Sequence, residues 1–185
     1  MRRHRIVPAA LVALALTAAG VLVGVGGSQA KLSASQQLFR ATLLDDAKTT
    51  SGVKALLRDR GGFVAPEIEF ADLTGDSRSD ALVLVDTGGA AGAVALYVFS
   101  THGKAADSPL RAVYRSQQLY RASARVSAGT LILRTPKFAA GDDVCCPAKV
   151  VERVYAWSNG AKTLTRRSSH ELPGPGGTTT TPPAR

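Results

Sequence analysis

Two runs constrain this chain most: Ala81-Leu-Val-Leu-Val85 and Ala93-Val-Ala-Leu-Tyr-Val-Phe99. Successive side chains of a strand point to opposite faces. A run that is apolar at every position therefore reads as a central strand, buried on both sides. Gly88-Gly-Ala-Ala-Gly92 joins the two as a flexible loop.

Upstream the period is helical. Ser33-Ala-Ser-Gln36 fits a capping box, in which the serine hydroxyl and the glutamine side chain close the first turn. A helix follows to about Lys48. Phe39, Leu43 and Ala47 form one row and Leu38, Ala41 and Leu44 another, which predicts a broad buried face. Thr49-Thr50-Ser51-Gly52 breaks it. Ser51 is placed to cap a second helix with Val53, Leu56 and Leu57 on one face, ended by Gly61-Gly62. After Pro66, Ile68 and Phe70 alternate with Glu67 and Glu69. Further strands are expected at 110–116, 119–127, 129–134, 149–157 and 161–167, with turn signals at Ser127-Ala128-Gly129 and Ser158-Asn159-Gly160. Helices first and strands afterwards predict α+β: an N-terminal helical pair packed on an antiparallel meander of about six to seven strands.

The ends bound this domain. Arg2, Arg3 and Arg5 precede residues 6–27, which carry no charge, and Ser28-Gln29-Ala30 offers small residues before a cut after Ala30. This is the grammar of a secretory signal over 1–30. The apolar run exceeds the usual 7–15 or so residues of a signal core and is long enough to span a bilayer, so an uncleaved anchor is the alternative. Either way the remainder is expected outside the cytoplasm, secreted or membrane-anchored, with membrane contact only through 6–27. Residues 31–172 are one domain's worth of chain. ELPGPGGTTTTPPAR loses all apolar period, and 173–185 reads as a disordered tail.

Charge is uneven. Residues 31–100 hold 7 basic and 9 acidic side chains, and residues 101–185 hold 13 and 5. Opposed polarity steers anions to one side. Outside the cell, and with no recognised nucleic-acid motif, the expected partner is an anionic wall polymer or lipid head group rather than nucleic acid.

Asp72-Leu-Thr-Gly-Asp-Ser-Arg-Ser-Asp80 stands between two strand patterns. As an ordinary corner it needs no metal: Asp72 and Asp76 accept turn amides, Gly75 takes positive φ, and Asp80 starts the next strand. The stretch also resembles the DxNxDGxxD segment of FG-GAP/VCBS-type extracellular repeats. That resemblance implies a calcium loop with Asp72, Thr74, Asp76, the carbonyl of Arg78, and Asp80 at ligand positions. Here Thr74 replaces an acidic or amide ligand and Ser77 replaces the bend glycine. Together with the leader and a later cysteine pair, the corner is also similar to small exported proteins of high-GC bacteria of the LppP/LprE lipoprotein type. This resemblance implies an exported location and a like architecture, and no activity. The match does not extend to a cysteine near the cut, which this chain lacks.

Cys145 and Cys146 are the only cysteines. Adjacent Cα atoms lie about 3.8 Å apart, below the usual disulfide range of about 4.4–6.8 Å. Exposed thiols do not persist in an oxidising compartment, so the expectation is a vicinal disulfide that clips the loop before strand 149–157. A redox switch, intermolecular pairing and a thiolate metal site are the other readings.

Arg121 and Arg125 alternate along one predicted strand and Arg111 and Arg115 along the preceding one. If these strands pair, four guanidiniums share a face that is either simply wet or anion-binding. Tyr155 and Trp157 share a strand face and are expected in core or rim packing, with a sugar platform as the alternative. No nucleophile elbow, zinc helix, phosphate loop or dinucleotide fingerprint occurs. The chain is expected to be a non-catalytic, monomeric binding or structural domain of the envelope, free of cofactor unless calcium binds. The competing expectation is a secreted hydrolase using the carboxylate pair Glu67 and Glu69 or the aspartate corner.

Overall fold

The computed structural model describes residues 32–105 and 107–176. The leader and residues 177–185 of the tail lie outside the described residues. Among the described residues no helix is long and apolar enough to cross a membrane.

Helix α1 spans Ala34–Asp45 and opens on the expected capping box: the Gln36 amide donates to Ser33 Oγ and the Ser33 amide to Gln36 Oε1. The helix stops at Asp45 rather than Lys48, because Asp46 turns extended. Its buried face is narrower than the two rows implied. Phe39 and Leu43 are buried, whereas Leu38 is 56% exposed and Ala41 and Ala47 face solvent. Helix α2 spans Ser51–Asp59, and its cap is Thr50, one residue before the expected serine. Val53 and Leu57 are buried.

Among the described residues nine strands follow in two antiparallel sheets, an α+β arrangement led by the helical pair. The first sheet holds β1 (Phe63–Val64), β2 (Glu69–Ala71), β3 (Asp80–Asp86), β4 (Ala93–Ser100) and β5 (Arg111–Gln117). Its order is β1-β3-β4-β5, with β2 also on β3. The second is a meander of β6 (Ser123–Ser127), β7 (Thr130–Lys137), β8 (Lys149–Ser158) and β9 (Thr163–Pro173). The single meander expected from the sequence is thus divided after β5.

The division explains why β3 and β4 are apolar throughout. One face of the first sheet, with Ala81, Val83, Val85, Ala95, Tyr97 and Phe99, packs against Phe39, Leu43, Val53 and Leu57 of the helices. The other, with Leu82, Leu96 and Val98, packs against Leu131, Leu133 and Leu164 of the second sheet. Each buried side chain of this size contributes about 1.5–3 kcal/mol. The molecule is therefore three layers deep, helices over sheet over sheet. Phe70, expected to be a buried position, lies at the margin of the first sheet and is 56% exposed.

Polar ties hold the layers in register. Gln36 Nε2 donates to the Val64 carbonyl at 2.7 Å. Gln117 Oε1 accepts from the Thr50 amide and the Tyr97 hydroxyl, and its Nε2 donates to the Lys48 carbonyl. Burial pushes the Tyr97 hydroxyl up to about 12.

Candidate functional site

The aspartate corner is built around its own backbone. Asp72 accepts from the amides of Gly75, Asp76 and Ser77. Asp80, 1% exposed, accepts from the amides of Leu73 and Thr74 at 2.8 and 2.9 Å. Asp76 Oδ1 accepts from the Arg78 amide, while Oδ2 lies 3.2 Å from Arg78 Nη2 and 3.5 Å from His102 Nδ1. These last contacts have ion-pair distance without hydrogen-bond geometry, which leaves Asp76 Oδ2 and His102 Nδ1 buried and without a hydrogen-bond partner. Arg78 also reaches the Thr101 hydroxyl and the Lys104 carbonyl, fastening the corner to the loop after β4. The three carboxylates thus serve three separate sets of donors. Among the described residues no group of three or more His, Cys, Asp or Glu is placed to hold a metal ion.

The arginines are regrouped. β5 pairs with β4 and β6 with β7, so Arg111 and Arg115 lie in the first sheet while Arg121 and Arg125 belong with the second. The predicted four-arginine face does not form. Arg115 donates through Nε and Nη2 to Asp46 Oδ2. Burial raises the Asp46 carboxyl, but the Lys48 amide and Arg115 outweigh it and hold it below the ordinary aspartate value. Arg111 donates to the His102 carbonyl. Both line a hollow of about 540 Å³ between α1 and β5 that also holds Asp45 and Asp46, so its charges balance.

On the second sheet the balance differs. Ser123 faces Arg134 across the β6–β7 ladder, and Arg125 faces Ile132. With a period of two, all four project from the face opposite Leu131 and Leu133. They line one hollow of about 100 Å³. Ser123 and Arg134 continue into a second, of about 310 Å³, which Arg121, Thr135, Pro136, Cys145, Pro147, Val150 and Pro175 complete. Arg134 pairs with Glu152 at 2.7 Å, and Arg121 donates to the Val144 carbonyl. Three arginines against one carboxylate leave this strip net positive. The sequence reading missed Arg134. The Ala128-Gly129 turn held the signal, since closing it sets Ser127 against Thr130 and hence Ser123 against Arg134.

The cysteine loop forms the end wall of the strip. Cys145 and Cys146 sit side by side with Cα atoms 3.8 Å apart. Asp142 closes the loop by accepting from the amides of Ala139 and Ala148, which lowers its pKa. Residues 173–176, expected in the tail, lie against this loop. β9 runs to Pro173, and the Gly174 and Gly176 amides donate to the carbonyls of Ala148 and Pro147. A methyl group at Gly174 would strike the Pro147 carbonyl, and one at Gly176 the Cys146 carbonyl. These glycines permit a close backbone approach rather than disorder.

Tyr155 packs on Tyr114 with ring centroids 5.2 Å apart, and Trp157 stands 4.8 Å from the His102 ring, so both aromatics are engaged in packing. Glu69 Oε2 accepts from the Val126 amide, joining β2 to β6. Glu67 is exposed, and both glutamates line a hollow of about 350 Å³ with Ile68, Leu82, Leu84 and Ala124. No protein-family model matches this chain, and no curated protein or solved structure matches it either.

Proposed function

We propose that this chain is an exported, non-catalytic domain of the cell envelope that binds an anionic polymer along the β6–β7 face. The observation that carries the reading is the strip of Arg121, Arg125 and Arg134 beside a single carboxylate, Glu152. The strip sits in the half of the chain with 13 basic and 5 acidic residues. By contrast, Asp72, Asp80 and Glu69 are occupied by backbone amides, which favours a binding role over the hydrolase. The arginine-led apolar leader supports export, in keeping with the LppP/LprE-type resemblance. In that compartment Cys145 and Cys146 form a vicinal disulfide, so that the end wall of the strip is a covalent clip.

The test is retention of the full-length protein on carboxymethyl-dextran beside uncharged dextran. Retention on the charged matrix, release by salt, and loss in Arg125→Ala/Arg134→Gln but not in Arg111→Gln are expected. Equal retention on uncharged dextran removes the proposal. Intact-mass measurement of the protein recovered from cells tests export. Cleavage after Ala30, or an intact leader in the membrane fraction, is expected, together with a mass two hydrogens short. A cytoplasmic product with both thiols reduced contradicts it.

A further inference from the structure

The arginine strip ends in a group of exposed apolar side chains that the charge alone does not explain. Among the described residues the exposed large hydrophobics are Leu38, Phe70, Tyr120, Phe138 and Val144. Three of these gather at one end of the second sheet. Tyr120 precedes Arg121 in the loop before β6, Phe138 follows Lys137 at the end of β7, and Val144 belongs to the cysteine loop that Arg121 holds. The Tyr120 and Phe138 rings stand edge to face, 6.0 Å between centroids. Tyr120 and Phe138 are 41% and 37% exposed and meet each other, so they form a joined apolar patch rather than scattered single residues.

The adjoining hollow of about 310 Å³ has the same two-sided chemistry. Pro136, Pro147, Pro175, Val150 and Cys145 offer apolar surface. Arg121, Arg134 and Ser123 offer hydrogen-bonding side chains. This volume lies at the small end of ligand sites, which begin near about 300 Å³. A bare polyanion makes use of the arginines only. A lipid head group makes use of a flat charged surface and has no need of a ring-sized hollow. A saccharide ring bearing a carboxylate makes use of both sides: its C–H face lies on aromatic or proline surface, its hydroxyls meet Ser123, and its carboxylate meets a guanidinium fork.

We propose that the Tyr120–Phe138 pair and the hollow beside Arg121 and Arg134 form a subsite for one acidic sugar ring, so that the anionic polymer is a polysaccharide. This inference rests on the anion-binding reading above and narrows it. Glu152 lies beside Arg134 and disfavours an anion there. Glu152 is held by Arg134, and Arg125 has no carboxylate partner among the described residues. The remaining positive charge therefore runs along the strip toward Arg125, the direction in which further acidic rings of the chain extend.

The experiment compares three probes on the full-length protein by calorimetric titration: a tetramer of galacturonic acid, a neutral glucan tetramer, and inorganic polyphosphate. The variants are Tyr120→Ala/Phe138→Ala, with both side chains exposed and so dispensable to the core, and Phe70→Ala as an exposed aromatic elsewhere. The acidic tetramer is expected to bind more tightly than the other two. The aromatic double variant is expected to weaken it by about tenfold or more while leaving polyphosphate affinity unchanged. Phe70→Ala leaves both unchanged. If the double variant alters neither probe, or both alike, the ring subsite is overturned while the arginine strip stands. Equal affinity for the neutral tetramer also overturns it. If no anionic probe binds, the anion-binding reading falls as well.

Discussion

Ser77 and Asp80 show how single residues set the corner between β2 and β3. Ser77 has φ 63°, in the left-handed region that disfavours an L side chain by about 1–2 kcal/mol. It is held there because its amide donates to Asp72 Oδ2. Ser77→Gly keeps that amide and removes the strain, so it should stabilise the fold by about 1 kcal/mol, read as a rise in melting temperature. Asp80 acts in the opposite sense. Asp80→Ala would leave the Leu73 and Thr74 amides buried without acceptors, and a loss of about 3 kcal/mol is expected in urea unfolding. The spacing of the three aspartates was legible in the sequence. Which donors each would take was not, because an Asx turn and an ion loop require the same residues at the same spacing.

At the scale of elements, both helices were legible from their apolar period, and the central strands from short runs apolar at every position and bounded by turn signals. The split between sheets was not. The chain leaves β5 through Gln118 and Arg121, whose φ values are 66° and 46°, with neither glycine nor proline to announce the break. Those two residues, with Leu119 and Ala122 amides bonded to the β4 edge, interrupt what reads as one strand over 119–127 and send β6 to the other sheet. Every inference that needed β5 beside β6 failed with it, including the four-arginine face. The β6–β7 hairpin was legible at its turn. It is closed by Ala128 and Gly129, both with positive φ (46° and 68°). This is the pattern in which Asn-Gly is favoured. Ala128→Asn should therefore raise stability by about 0.5–1 kcal/mol without moving the ladder, measured as a shifted urea midpoint with an unchanged slope.

At the scale of the whole molecule, surface carboxylates join strands and layers and set part of the response to acid. Glu171 on β9 accepts from Lys137 on β7 and Lys149 on β8, and these two lysines pull its pKa from 4.5 to about 2. A carboxylate with a lowered folded-state pKa contributes stability above its unfolded value and loses it as pH falls through the folded one. The melting temperature should therefore decline between pH 4.5 and about 2, and Glu171→Gln should flatten the lower part of that decline. Asp46, lowered through Lys48 and Arg115, contributes to the same acid limb from the helical side. The packing of residues 173–176 on the cysteine loop was not legible, because Pro-Gly-Pro-Gly reads as a tail unless the carbonyls it presses against are known. The central claim is that the β6–β7 face, and not the larger hollow under α1, receives an anionic polymer. Amide chemical shifts of the full-length protein, followed as an acidic oligosaccharide is added, test it most directly. Changes should concentrate at 120–125, 132–138 and 144–147. Changes centred on Leu38, Thr42, Leu110 and Ala112 would contradict it.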